Sequence, residues 1–508
     1  MDPVARARPS RVVRWLPAAG WLRDYDRGLL AQDAVAALIV TLMLVPQSLA
    51  YAMLAGLPPQ VGLYASIAPL IAYAAFGSSR TLSVGPVAVV SLMTAVAIGN
   101  VAAGDPARAM QASLALALLS GGAMLLMAAL RLGTLSTLLS HPVISGFVTA
   151  SAVLIATGQL KHLLGVQVQG DTLVELLPGL VQAAPRAHLP TLLIGVLALA
   201  FLVWARSGLA PTLRRLRVPA HVAGLATRLG PVVVIAAATA AVALGGPAVD
   251  GVRVVGPIPA GLPPVTLPPL DPALWIELLP AAVATSLIGF VESMSVAQTL
   301  AARRREQVDA DRELLGLGAA NVAAAFTGGY PVTGGFARSV VNFDAGARTQ
   351  LASVLTALGI LAVTLLFTRW FADLPHAALA ATIIIAVLAL ADFAAPRQTW
   401  RYSRGDFAAM AATMGTVLLV GVEAGIIAGV AVSVLMHLWR TTRPHIAIVG
   451  QVPGTEHFRN IDRHPVVTSP TVLSARVDES LYFANARFLE QWLLAQVAQR
   501  PGVRHVVS

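Results

Sequence analysis

The sequence predicts an all-α polytopic membrane domain of fourteen spans, built as a seven-plus-seven inverted repeat, followed by a partial α/β segment at the C-terminus. Three observations carry that reading: long stretches free of charge, segments of the first half that recur in the second, and a tail in which strand-like and helix-like runs alternate. Of 508 residues, 56% are hydrophobic and 12% charged, with a mean hydropathy of +0.74. Soluble domains carry about 25% charged residues, so a soluble globular protein is excluded. With no cysteine, disulfides, thiolate metal sites and cysteine nucleophiles are excluded as well. The net charge of +10 sits in loops between apolar runs, where it reads as a topology signal and not as a nucleic-acid footprint.

Residues 1–32 form a polar, Arg-rich arm, and the apolar run after it is too long for a cleaved signal peptide, so the N-terminus stays on the mature protein. Each span needs roughly 20 apolar residues. From Ala34 to Ser79 no charge occurs, and "GLPPQVG" divides the stretch into two crossings. Five further runs follow: Thr81 to Gly104, Ala109 to Leu130, Leu132 to Leu160, Ala187 to Ala205 and Leu229 to Val249. These seven make repeat 1, about 33–249. A Pro-rich connector, Val249 to Pro272, reads as ordered and external. Repeat 2, about 273–440, holds Leu278 to Ala302, Leu314 to Phe343 as two segments with the second short, Thr349 to Thr368, Leu374 to Ala391, and Phe407 to Trp439 as two. Residues 441–508 alternate "TVLSARVD", "SLYFANA", an amphipathic helix near Arg487 to Arg500, and "VRHVVS".

"FGSSRTLSVGP" from Phe76 and "FTGGYPVTGG" from Phe326 lie 250 positions apart, and the histidines of "LLSHPVISGF" and "ADLPHAALAA" 235 apart. Internal duplication accounts for both. A repeat with an odd number of spans enters the membrane in opposite senses, an architecture found mainly in secondary transporters. With the N-terminus in the cytoplasm, cytoplasmic segments through Arg443 hold 23 basic residues and the other side five, Arg108, Lys161, Arg186, Arg253 and Arg369. That asymmetry follows the positive-inside rule with both ends of the membrane domain cytoplasmic. Lys161 is the only lysine, which suggests a GC-rich bacterium and hence the inner membrane.

The third and tenth segments are interrupted near their starts by Gly85-Pro86 and Gly334-Gly335. Broken helices at matching repeat positions point to a transport site. Two half-helices whose N-termini meet present free N–H groups and about half a positive charge each, which stabilises an anion. Close helix packing is the other use of such glycines. Arg338, four residues after Gly334, can complete an oxyanion pocket, or it is a structural, snorkelling arginine. Glu292, in mid-membrane, must be paired, hydrated or protonated, or it makes a helix–helix hydrogen bond. Gln47 lies 245 positions before it and is a hydrogen-bond donor to substrate or a packing residue, as are Tyr51, Ser83, Ser91, Ser339 and Asn342. Glu423 reads as structural, and His141, His162 and His376 have no metal-site spacing, so neither metal nor cofactor is expected.

Several segments together resemble the SulP family of anion permeases, from about Trp21 onward: "VPQSLAYAMLAGLPPQVGLYAS" from Val45, "SVGPVAVVSLM" from Ser83, "HPVISGFVTASAVLIATGQLKHLLG" from His141, "GFVES" from Gly289, "GGYPVTGGFARSVVN" from Gly328 and "SLYFANARFLE" from Ser480. The resemblance implies core and gate subdomains, a homodimer, a C-terminal STAS domain whose later part is missing beyond Ser508, and transport of sulfate, bicarbonate or a dicarboxylate coupled to protons or sodium. It places the substrate among Gln47, Tyr51, Ser83, Gly85, Gly335, Phe336, Ala337, Arg338 and Ser339, with Glu292 as the coupling residue. Ala337 stands where many relatives have a hydroxyl residue, so one side-chain ligand for the anion is missing; Val296 stands where sodium-dependent relatives have a hydroxyl, which favours protons over sodium. Arg338 and two helix N-termini sum to about +2, matching a divalent anion when Glu292 is neutral. Proton-coupled sulfate uptake by alternating access is therefore expected. An anion channel, a sensor docking a partner through its STAS portion, and a nucleobase–cation symporter are the competing readings, and nothing points to an enzyme.

Overall fold

Helix α1 (Arg27–Leu54) begins where the Asp26 carboxylate accepts the Leu29 N–H at 2.7 Å, and its 28 residues are enough to cross a bilayer. The computed structural model describes residues 25–137, 141–170, 172–219, 223–224, 226–227 and 229–507. The arm up to residue 24, Arg228 and Ser508 lie outside the described residues, as do the side chains of His141 and Glu423. The chain divides into two compact units, 1–429 and 430–508.

In the first unit α1 is followed by α2 (Pro59–Tyr64) and α3 (Ala68–Phe76), which share one span-length stretch broken near Ser66. Then come strand β1 (Val84–Gly85), α4 (Ala88–Ala102), α5 (Pro106–Ala129), α6 (His141–Leu164), α7 (Leu173–Ala183), α8 (Leu189–Trp204) and α9 (Gly230–Gly245). The second half runs through α10 (Pro272–Arg304), α11 (Ala310–Phe326), β2 (Thr333–Gly334), α12 (Phe336–Asp344), α13 (Leu351–Leu366), α14 (His376–Leu388), α15 (Ala395–Tyr402) and α16 (Arg404–Leu419), and α17 (Val422–Thr442) completes the helices of this region. Among the described residues seven helical stretches are long and apolar enough to cross a membrane, whereas α4, α13 and α14 are shorter. The two segments interrupted by Gly85-Pro86 and Gly334-Gly335 are short for the expected reason. Their first residues are extended, so α4 keeps 15 residues and α12 nine.

Two helices were not expected from the charge-free runs. In α7, Glu175 and Pro178 interrupt the apolar pattern, yet Leu176 and Leu180 are buried while Val174, Leu177 and Val181 face outward. Helix α15 is too polar to register. The Pro-rich connector, Val249 to Pro272, is held to the rest of the unit: Val254 bridges Pro375, and the Thr266 N–H donates to the Phe326 carbonyl at 3.0 Å.

Small residues let α5 and α11 approach closely. A Cβ on Gly121 would lie 2.8 Å from the Val322 nitrogen, and one on Gly318 2.8 Å from Leu125 Cγ. One apolar cluster gathers Tyr73, Leu116, Met124, Phe290 and Leu317; a second gathers Leu44, Leu49, Ile155, Ile360 and Ile383. Glu313 is buried but fully satisfied: it accepts from Tyr73 OH (2.6 Å), from Ser78 N–H and Oγ–H (2.8 and 2.7 Å) and from Ser79 N–H (2.9 Å). This ties the start of α11 to the link between α3 and β1. Replacing Glu313 by Ala strands those donors and is expected to destabilise the fold by on the order of 3 kcal/mol. A lower thermal unfolding midpoint in detergent checks it.

The second unit holds β3 (Ile446–Gln451), β4 (Phe458–Asn460), β5 (Val472–Val477), α18 (Phe483–Ala498) and β6 (His505–Val507) in the sheet order β4-β3-β5-β6. β3 is antiparallel to both neighbours, and β5–α18–β6 forms a parallel crossover. Two expectations need correcting. "SLYFANA" does not form a strand: Tyr482 caps α18 in a capping box with buried Asn485, so helix begins at Phe483. β3 and β4 were missed, because a six-residue strand next to a helix end and an exposed three-residue strand leave little periodicity. Asp478 accepts from Arg476 Nε at 2.8 Å and lies 2.9 Å from His445 Nδ1, which holds its carboxyl below the usual aspartate range.

Candidate anion-binding site

Strands β1 and β2 are two residues each and pair antiparallel, Val84 with Gly334 and Gly85 with Thr333. Each leads directly into a helix. α4 starts after Val87 and α12 after Gly335, and neither N-cap side chain bonds the helix. Their first backbone bonds are Ser91 N–H to the Val87 carbonyl (2.8 Å) and Ser339 N–H to the Gly335 carbonyl (3.0 Å). The first turns of both helices thus lack side-chain caps, and the positive ends of two helix dipoles lie beside them.

These N-termini border one small cavity lined by Gln47 and Tyr51 of α1, Val87 and Ala88 of α4, Gly335 to Arg338 of α12, Glu292 of α10, and Ala386 and Leu390 near the end of α14. Arg338 is 2% exposed. Its Nη2 makes only a long contact, 3.5 Å, to the Thr333 carbonyl, and Nη1 has no partner. Glu292 Oε2 is likewise buried and unpartnered. Buried charged groups are normally fully bonded, so these two unpartnered atoms, on one cavity, make it the candidate site.

Glycine is required where the guanidinium lies against the crossing. A Cβ on Gly85, whose φ is +153°, would sit 2.7 Å from Arg338 Nη1, and one on Gly335 2.7 Å from Nε. Gly85→Ala and Gly335→Ala are expected to push the guanidinium aside and raise the KM for anion uptake at least about tenfold, whereas Gly99→Ala, with open space around it, leaves KM unchanged.

Of the residues expected here, Gln47, Tyr51, Gly335, Phe336, Ala337, Arg338 and Glu292 come together at the cavity. Ser83, Gly85 and Ser339 stand behind it. Ser339 Oγ accepts the Ser83 N–H (2.9 Å) and donates to the Gly335 carbonyl (2.7 Å), and the Gly335 N–H donates to the Ser83 carbonyl (3.1 Å). The Ser339 hydroxyl is therefore spent on backbone bonds at the crossing, whereas Ser83 takes part through its backbone N–H and carbonyl. Ser91 pairs with Tyr330 OH (2.9 Å), and Asn342 Nδ2 donates to the Thr81 carbonyl (3.1 Å). His162 and His376 face each other with ring centres 6.0 Å apart, but no group of three or more metal-ligating side chains occurs among the described residues.

Sequence reasoning missed the residues that aim Glu292. Thr333 Oγ1 donates to the Gly289 carbonyl (2.6 Å) and shares a hydrogen bond with Ser293 Oγ (2.7 Å), which also accepts the Gly334 N–H (2.8 Å). Gly289 and Ser293 flank Glu292 on α10, so "GFVES" is the segment by which this helix is pinned to β2. Asn321 fixes the same strand from α11 by a two-way bond with the Val332 backbone, 2.9 Å each way. A run of small polar residues beside a mid-membrane acid was the available signal.

A family model described as the sulfate permease family matches residues 30–413. The chain belongs to that family. It is a transmembrane anion transporter and not an enzyme. It is 36% identical over 499 residues to the chloroplastic sulfate transporter 4.1 of Arabidopsis thaliana, covering 96% of this chain and 71% of that one. It is also 36% identical over 490 residues to a probable sulfate transporter of Mycobacterium tuberculosis, covering 96% and 84%. The permease shares its fold with the murine anion transporter Slc26a9 in the inward-facing state, at a TM-score of 0.85 and 22% identity, covering all of this chain and 86% of that one. It also resembles the transmembrane domain of the cyanobacterial bicarbonate transporter BicA, at a TM-score of 0.68 and 22% identity, with 80% of this chain and 98% of that domain covered.

Proposed function

We propose that this permease takes up sulfate together with protons by alternating access, with the anion held between the N-termini of α4 and α12. The observation that carries the reading is the buried Arg338, whose Nη1 has no protein partner at the point where two uncapped helices converge. Arg338 and the two dipoles offer about +2, a match for a dianion provided Glu292 is neutral. Glu292 borders the anion cavity and also a small apolar cleft of about 30 Å³ lined by Val143, Ile144 and Phe147 of α6, Ile288 and Val291 of α10, and Thr413 of α16. A carboxyl group between two spaces can exchange its proton on one side while the anion occupies the other. Sulfate as the substrate is supported by the names of the relatives.

The same proposal includes fourteen spans in a seven-plus-seven inverted repeat, supported by the matched β1–α4 and β2–α12 units. It includes a homodimer in a bacterial inner membrane with cytoplasmic termini, and the β3–β6 sheet with α18 as the first part of a STAS domain. Radiolabelled sulfate uptake into proteoliposomes, with and without an inward proton gradient, tests it. Accumulation stimulated by the gradient is expected. Gradient-independent conductance would make the protein a channel, and absence of sulfate uptake by folded protein would move the assignment to bicarbonate or a dicarboxylate.

A further inference from the structure

Away from the anion cavity, α1, α9 and α13 enclose a groove of about 820 Å³ that the transport reading leaves unused. Its floor on α9 is a single stripe, Val232, Ile235, Ala236, Thr239, Ala240 and Ala243, recurring every three or four residues. Leu42, Val45 and Pro46 of α1 form one wall, and Val363 and Phe367 the other. The groove is open to its surroundings, since Leu42, Phe367 and Trp370 are all exposed. The α9 stripe is about 16 Å long at 1.5 Å per residue, close to half of the roughly 30 Å hydrocarbon core. That is the depth of one leaflet, hence of one acyl chain.

One end of the groove is polar and the rest is apolar. Arg369, Trp370 and Asp373 gather there, in and just after the turn that follows α13. Trp370 is 71% exposed, as expected for an aromatic anchor at the headgroup level. Arg369 and Asp373 are the charged residues of the lining, and neither is ion-paired with another described residue. A cation and an anion side by side at the mouth of a one-leaflet groove complement a headgroup that is itself zwitterionic. Guanidinium suits a phosphate diester, and carboxylate suits an ammonium.

We infer that this groove binds one phosphatidylethanolamine molecule from the leaflet on the Arg369 side, an acyl chain lying along α9, the phosphate on Arg369 and the ammonium on Asp373. The bound lipid touches a helix that also lines the anion cavity: α1 lines the groove through Val45 and Pro46 and the cavity through Gln47 and Tyr51. The inference does not depend on which anion is carried, and its test does not read transport.

The full chain is reconstituted in phosphatidylcholine nanodiscs containing phosphatidylethanolamine with a photoactivatable diazirine in one acyl chain, and adducts are mapped by mass spectrometry. Adducts are expected to concentrate on α9 and α13 and to fall at least five-fold in Ala240→Trp, which fills the groove. Equal labelling of the exposed face of α8, at Leu193 and Leu197, would show ordinary annular lipid and overturn the site. The surface variant Arg369→Gln/Asp373→Asn keeps the proposal testable should Ala240→Trp misfold. It is expected to abolish the preference for phosphatidylethanolamine over a diazirine phosphatidylglycerol or diacylglycerol. Equal labelling by all three lipids in the unmodified protein overturns the headgroup assignment.

Discussion

Replacing Arg338 by alanine is expected to abolish saturable sulfate uptake while leaving the protein folded and membrane-inserted. The guanidinium is buried, it lies over the β1–β2 crossing, and its Nη1 has no protein acceptor, so its removal breaks no protein–protein bond through that atom. An anion between the helix N-termini would lose a charged, hydrogen-bonding partner in a site shielded from water. Removing one member of a buried charged pair costs about 3–5 kcal/mol. At 1.4 kcal/mol per tenfold in affinity, that is two to three orders of magnitude or more. Arg338→Lys restores the charge but not the fork of donors, and is expected to recover only part of the loss. Initial rates of radiolabelled sulfate uptake against concentration check both variants. Uptake by Arg338→Ala with an unchanged KM would place the anion elsewhere.

The second large effect is expected at Glu292. Glutamine there mimics the protonated side chain in shape and hydrogen bonding but cannot release a proton. The +2 of Arg338 and the dipoles is then never offset by a carboxylate, so the anion still binds. Glu292→Gln is therefore expected to exchange sulfate across the membrane while losing the acceleration by an inward proton gradient, the ratio of rates with and without the gradient falling to about one. Full retention of that ratio would sink the coupling role. Ser293→Ala, which removes the hydroxyl shared with Thr333 and bonded to the Gly334 N–H, separates positioning from chemistry. It is expected to raise KM several-fold with the gradient response intact.

The pair of broken helices was legible in the sequence because glycine and proline interrupt apolar runs at matching places, and Arg338 and Glu292 because charge in an apolar run costs too much to be incidental. The serines show where such reading stops. Ser339 reads as a hydroxyl ligand for an anion, and the fold spends its hydroxyl on backbone bonds across the crossing, accepting the Ser83 N–H and donating to the Gly335 carbonyl. Conversely, nothing in the spacing of Glu313, Tyr73 and Ser78 announces that one carboxylate of the second half gathers its donors from the first. Partners more than 200 positions apart leave no local pattern.

What the sequence determined by itself is what depends on local composition: a membrane solvent, the interruption of two helices after their first residues, and the presence of a cation and an acid within the bilayer. These follow from apolar run length and from the backbone freedom of glycine and proline, properties each segment carries alone. Tertiary structure decided which of the polar residues face the same space. The antiparallel pairing of Val84 with Gly334 brings the two helix N-termini together, and the Gly289–Ser293–Thr333 bonds pin α10 to β2 with Glu292 on the same cavity. Such an arrangement is set by packing between segments distant in the chain, where a hydroxyl can serve a ligand or the backbone with equal chemistry, and only its neighbours in space determine which.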